Sequence, residues 1–312
     1  MNRKPLTLIL LILVFFVSCK PAARKNTIVI SGAWALYPLT VKWAEEYKKI
    51  HPEIRIDISA GGAGKGMADV LSGLADIGMV SRRIFPVEME KGAFPLAVAK
   101  DAVVAVVSDR NPVLKSILSG GLTRNSGSEI WLTSNYVSWG KVTGTAMDVQ
   151  LHSYIRSDAC GAAETWAEWL GSTQDYLHGI GVYGDPGIAQ AVRQDSLGIG
   201  FNNIGYAFDY NSKKPIAGLK IVPLDVNEDG IISEEESFYE TIDDVVDAIS
   251  EGRYPSPPAR ELYFVLKGKP GENLILKDFL KWVLTSGQQY VREAGYVPLS
   301  RESIESDLRG IE

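Results

Sequence analysis

Between Thr27 and Val80 short apolar strands alternate with amphipathic helices, and this order restricts the fold more than any other feature of the chain. TIVIS (27–31) reads as a strand, and PLTVKWAEEYKKI (38–50) as a helix with Val41, Ala44 and Tyr47/Lys48 on recurring faces. IRIDIS (54–59) alternates like a strand, residues 66–74 read as a helix, and ADIGMV (75–80) as a strand. Successive strands joined by single helices pair in parallel, because each helix must return the chain across the sheet. The class is therefore α/β. DAVVAVV (101–107) predicts a buried strand, and Asn111-Pro112 marks a break after it.

The middle of the chain predicts helices at 116–122, 128–136, 161–170 and 186–195, with strands near 152–156 and 197–201. ELYFVL (261–266) returns to strand, and 274–287 is a helix with Leu276, Phe279, Leu280, Val283 and Leu284 on its apolar face. A sheet that is entered, left and re-entered predicts two α/β lobes. Residues 27–107 with 253–312 form the first and 108–252 the second, with crossings near 108–112 and 252–258. A cleft between two such lobes is a usual place for a small ligand. The length of 312 residues suits two domains, and the net charge of −6 with no Lys/Arg-rich run argues against nucleic acid as a partner. The histidines His51, His152 and His178 fit no zinc spacing, and two cysteines cannot make a disulfide scaffold.

Arg3 and Lys4 precede an apolar run, 6–17, broken only by Thr7. It is short for a bilayer span but suits the core of a secretion signal over 1–18. Ser18-Cys19 at its end resembles the bacterial lipobox, whose cysteine is diacylated and becomes the new N-terminus; no A-x-A cleavage site follows. The expectation is an extracytoplasmic protein (periplasm or cell surface) anchored to the membrane through Cys19 and a polar linker over 19–26. Cys160 is then the one remaining thiol.

Three strand-to-helix junctions are built from small residues: 31–38 (SGAWALYP), 60–66 (AGGAGKG) and 156–162 (RSDACGA). In an open α/β sheet such junctions gather at the carboxyl edge, where ligands bind. Each helix start offers unpaired N–H groups and about half a positive charge. Three of them converging would make an anion site, with Arg156 as the fork-shaped cation. None has the spacing of a dinucleotide or Walker motif.

At these residues the chain resembles the substrate-binding proteins of phosphate ABC transporters, a class II branch of the two-lobed periplasmic binding proteins. ISGAWALYPLTVKWAEEY matches the family's first loop and helix, and ISAGGAGKGMADVLSGLADIGMVSR its second loop, helix and strand. DAVVAVVSDRNPV, WGKV, YIRSDACGAAETW and AGYVPL follow in the family's order. The resemblance implies a two-lobed fold with its ligand cleft between the lobes, phosphate or a related oxyanion as ligand, and an ABC transporter permease as partner. In the family, hydroxyl side chains of these turns bind the phosphate oxygens. Carried over, the ligand-binding positions are Trp34 and Ala35, Ala63 and Gly64, Ser81, and Arg156, Asp158, Cys160, Gly161 and Ala162. Trp34, Ala35, Ala63, Cys160 and Ala162 stand where Ser or Thr is usual, and Ser81 where some members carry Asp. Each hydrogen bond lost to a charged oxyanion is worth ~1.5–3 kcal/mol. The departures therefore leave open a different or larger anion. They also leave open a sensor or adhesion lipoprotein that keeps the fold and has changed or lost the small ligand. Trp34 is expected as a pocket wall, with a packed core residue as the alternative. A thiol at a helix start beside Arg156 could have a lowered pKa, but Cys160 reads better as a small buried residue replacing serine. No His–Asp pair accompanies it, so an enzyme is not expected.

Residues 225–236 (DVNEDGIISEEE) fit the calcium-loop pattern D-x-[DN]-x-[DN]-G-x5-E in full. Asp225, Asn227 and Asp229 would point oxygens inward, Ile231 its carbonyl, Ser233 directly or through water, and Glu236 would close the shell with two oxygens. The preceding LKIVPL (219–224) reads as a strand, so an isolated loop holding a structural Ca2+ is expected, with no paired EF-hand; the alternative is an acidic turn in which Ser233 caps a helix through Glu236, as S-x-x-E.

Overall fold

The computed structural model describes residues 26–311; the expected signal, Cys19 and the linker up to residue 25 lie outside these residues. β1 (Thr27–Gly32), β2 (Arg55–Ala60) and β3 (Ile77–Val80) are parallel with β1 in the middle, Ile30 standing opposite both Ile58 and Ile77. The crossovers are α1 (Tyr37–Ile50) and α2 (Ala63–Ser72). Pro38 fits the first turn of α1, where no N–H is needed. The buried stripe of α1 is Leu39, Thr40, Trp43 and Tyr47. The expected faces through Val41 and Ala44 are displaced because the indole and phenol rings bury far more apolar area than those two side chains.

β4 (Ala93–Ser108) serves both lobes. Its first part pairs antiparallel with β9 (Ala259–Lys267), which in turn pairs antiparallel with β3. Its second part pairs antiparallel with β7 (Gly198–Asn203) and β8 (Leu219–Val222). β5 (His152–Arg156) lies parallel to β7, and β6 (Ile180–Val182) lies parallel to β5. Around this sheet pack α3 (Arg124–Trp131), α4 (Gly161–Trp169), α5 (Gly184–Gln194), α6 (Ile242–Ser250), α7 (Leu274–Leu284) and α8 (Arg301–Ile311). α7 buries Leu276, Phe279, Leu280, Val283 and Leu284, the stripe its periodicity predicts.

The apolar interior divides into two clusters, and this makes the fold two-lobed. One holds Ile30, Trp43 and Phe279 and ends along β4 at Ala99; the other begins at Ala102 and holds Trp131, Trp166 and Phe201. The first crossing therefore lies inside β4, some residues before the Asn111-Pro112 break, and the second lies between Ala259 and Leu262 inside β9. The apolar run of β4 is broken at this boundary by Lys100-Asp101, between Ala99 and Ala102. The mark is electrostatic. Asp101 on β4, 1 % exposed, accepts from Arg260 Nε on β9 at 2.9 Å, so the two crossing strands are joined by a buried ion pair.

Candidate functional site

The three small-residue turns meet where the lobes face one another. The first contains a 3-10 turn, Trp34–Leu36, and runs into α1. The second starts α2 with Ala63, fully buried, preceded by Gly62 at φ +90°. The third follows Arg156 at the end of β5 and starts α4 with Gly161. The contacts between lobes are at backbone distance. Gly64 N–H donates to the Ala159 carbonyl at 3.2 Å, so one first-turn donor of α2 is already satisfied across the cleft. A Cβ on Gly62 would lie 2.9 Å from Asp158 Oδ2, and one on Gly161 would lie 2.1 Å from the Ser81 carbonyl oxygen. Only glycine lets these chains come so close.

Arg156, with its side chain 1 % exposed, is held on three sides. Its Nε and Nη2 donate to Asp158 Oδ1 (2.9 Å) and Oδ2 (2.6 Å), and Nη1 donates to Asp185 Oδ2 (2.6 Å). Burial works against the guanidinium charge, but the carboxylates of Asp185 and Asp158 outweigh it and hold the group above its ordinary value. Asp158 Oδ1 also accepts the Gly184 N–H at 3.3 Å, which ties the turn to the start of α5. Asp185, fully buried, accepts from the Asn203 amide side chain at 2.7 Å. Asn203 in turn accepts from Arg260, and Arg260 Nη1 donates to Thr165 Oγ1 at 3.1 Å. A continuous buried chain of polar groups thus runs from Arg156 to the ion pair at the lobe crossing. One guanidinium between two carboxylates leaves the Arg156 cluster with a formal charge of −1.

Cys160 is the N-cap of α4; its Sγ accepts the Ala163 N–H at 3.4 Å. The lowered thiol pKa that its position at a helix start suggested is not found. Burial pushes the thiol up to about 12, and the nearby Arg156 charge is too small a counterweight. Ala35 and Ala162 are buried and contribute no side-chain oxygen; the Ala35 carbonyl accepts the Tyr296 hydroxyl at 2.7 Å. Ser81, 2 % exposed, lies against Gly161. Trp34 is half-buried and bridges the lobes: Tyr183 and Tyr206 of the second lobe set their rings on it edge-on at 6.3 Å, and Tyr37 tilts against it. The Tyr206 hydroxyl donates to the Trp34 carbonyl at 3.2 Å. Trp34 is therefore an aromatic interlock, and its buried Nε1 has no hydrogen-bond partner.

The structure thus brings together Trp34, Ala35, Ala63, Gly64, Ser81, Arg156, Asp158, Cys160, Gly161 and Ala162. Sequence reasoning missed Asp185, Asn203, Tyr183 and Tyr206. Asp185 precedes Pro186 at a helix start and reads there as an ordinary capping residue. Its partnership with Arg156, 29 positions away, has no local signal.

Two lobes closing on a set of helix-start turns define a solute-binding protein in architecture. A family model described as a PBP superfamily domain matches residues 20–286, and the chain belongs to that superfamily. It is similar to the phosphate-binding protein PstS of Methanocaldococcus jannaschii, 26 % identical with 92 % of this chain and 87 % of that one covered. It is also similar to the phosphate-binding protein PstS of Pseudomonas aeruginosa, 28 % identical with 89 % and 84 % covered. Among solved structures, a putative phosphate ABC transporter substrate-binding protein with bound phosphate from Clostridium perfringens superposes with a TM-score of 0.71. That match covers 88 % of this chain and 100 % of the other at 21 % identity, and it carries the fold alone. Among the described residues no helix is long and apolar enough to cross a membrane.

Proposed function

We propose that this protein is an extracytoplasmic receptor, anchored through a lipid on Cys19, that holds an oxyanion between its lobes and delivers it to an ABC transporter permease. Phosphate is the first ligand to test, since relatives along almost the whole chain are named phosphate-binding proteins. One observation carries the reading: three helix-start turns from two lobes meet beside the buried Arg156–Asp158 pair, Gly62 against Asp158 and Trp34 against Gly184, whose N–H donates to Asp158. With Ala35, Ala63 and Ala162 lacking hydroxyls, recognition rests on backbone N–H groups of these turns, on Ser81 and on Arg156. Asp158 is the acceptor for a proton carried by the anion. Ligand binding favours the closed arrangement through its differential affinity for it. No catalytic step is assigned.

The formal charge of −1 around Arg156 and the missing hydroxyls favour a second reading, a sensor or adhesion lipoprotein on the same fold. Calorimetric titration of residues 20–312 with phosphate separates the two, with sulfate, arsenate and molybdate as competitors. Micromolar or tighter binding that Arg156→Ala abolishes supports the receptor. A folded chain that binds none of the four anions refutes it.

A further inference from the structure

The acidic loop at 225–236 stands apart from the interlobe site, on the second lobe. Its seat is firm. Asp225 N–H donates to the Leu122 carbonyl at 3.1 Å, and Ile232 N–H donates to the Ser119 carbonyl at 2.9 Å. The Ile232 side chain packs over Gly121, and Glu228 Oε1 accepts the Arg124 N–H at 3.2 Å. Six of its twelve residues are acidic and none is basic.

Two of those carboxylates are buried, Asp225 at 2 % exposure and Glu236 at 7 %. Neither makes an ion pair among the described residues. Glu236 reaches back across the loop: Oε1 accepts from Val226 N (2.8 Å) and Asn227 N (3.4 Å), and Oε2 accepts from Ser233 N (3.0 Å) and Ser233 Oγ (2.8 Å), so the expected Ser233–Glu236 capping box is present and Glu236 is satisfied without a metal. Asp225 Oδ2 accepts the Gly230 N–H at 2.8 Å, which turns this carboxylate into the loop, while its Oδ1 is buried with no hydrogen-bond partner. A buried charge is costly unless it is paired or coordinates a metal. Here two buried carboxylates share one loop, with no cationic side chain bonded to either and one oxygen without a partner.

We infer that this loop is a calcium site, anchored by Asp225 Oδ1 and completed by Asn227, Asp229, the Ile231 carbonyl, Ser233 and Glu236. All are oxygen donors, which suits Ca2+, tolerant in number and geometry of ligands, better than Mg2+ with its demand for a near-ideal octahedron. Among the described residues no three acidic, His or Cys side chains yet surround one point. Binding therefore draws the outer ligands in. Asn227 and Asp229 are exposed and bonded to each other (Nδ2 to Oδ2, 3.1 Å), so they exchange that contact for the ion at small cost. Gly230, at φ +82°, already makes the sharp turn.

The depression beside Asp225 is also lined by Trp169, which provides the readout. Chelator-treated protein is titrated with Tb3+ under tryptophan excitation, the ion is displaced with Ca2+ or Mg2+, and thermal unfolding is followed with Ca2+ and with chelator. The expected result is a sensitised Tb3+ signal displaced by Ca2+ at about 10⁻⁴–10⁻³ M and poorly by Mg2+. Tm should rise about 2–3 °C at tenfold saturation. Asp225→Asn should abolish both responses yet melt no lower than the parent in chelator, since it removes the unpaired charge. Asp229→Ala, at an exposed side chain, should weaken the signal in a chain whose folding is not in question. A folded parent with no displaceable Tb3+ signal and no Ca2+-dependent Tm, or an Asp225→Asn variant that responds like the parent, overturns the inference.

Discussion

Gly161→Ala acts on lobe closure and on little else. The residue opens α4 with no positive φ, so alanine is acceptable to the backbone and improves helix propensity by roughly 0.5–1 kcal/mol. The new Cβ would lie 2.1 Å from the Ser81 carbonyl oxygen and 2.2 Å from Ser81 Oγ, both on the opposite lobe. An ordinary contact needs at least about 1.3 Å more than that. Backbone cannot yield cheaply, and overpacking of this kind costs typically 1–3 kcal/mol. The proposed function requires a ligand-free form in which the lobes part; there the cost vanishes, so it falls on the closed state alone. The closed population, and with it oxyanion affinity, should drop between about 5-fold and 150-fold. Calorimetry with phosphate reads the affinity, small-angle scattering reads the larger radius of gyration, and thermal unfolding should stay within about 2 °C of the parent. Unchanged affinity with unchanged scattering would refute the argument that Gly161 against Ser81 sets the closed distance. A collapse of Tm would show that the cost falls on folding instead.

Asp185→Ala should destabilise the chain by about 3–5 kcal/mol in urea unfolding, because it strips a buried carboxylate from Arg156 and an acceptor from Asn203; Asp185→Asn should recover part of that loss. Cys160, its pKa pushed up to about 12 by burial, should resist thiol reagents at neutral pH until the chain unfolds; fast native labelling would contradict this. Asp307 accepts the Ala97 N–H, yet burial raises its pKa to about 6 from 3.8. Between those values the folded chain holds a proton that the unfolded chain has released, so stability falls as pH climbs from about 4 to 6. Asp307→Asn should flatten that slope, and the slope's survival in the variant would assign it to another group.

Much of this protein is legible in its residues because the signals are local. The parallel β1–β3 unit follows from alternating strands and helices, and the buried stripe of α7 from a 3.6-residue period. The three turns announce themselves through small residues at helix starts. The buried face of α1 departs from the expected one because ring size outweighs local pattern there. Cys160 shows the limit for electrostatics. Its helix-start position and its arginine are visible in sequence and point to a lowered pKa; the competing expectation of a small buried residue is the one the structure bears out, and burial decides the sign of the shift.

The division between what the chain states and what the fold decides follows the same physics. Strand order, the small-residue turns, the missing hydroxyls and the spacing of the acidic loop are properties of neighbours along the chain. They hold before any folding is known. Which lobe β4 belongs to, the seating of Asp158 and Asp185 on one guanidinium, the clasp of Tyr183 and Tyr206 on Trp34, and the unpartnered oxygen of Asp225 are decided in three dimensions. Each depends on burial or on a partner many positions away, and low dielectric turns those placements into energy.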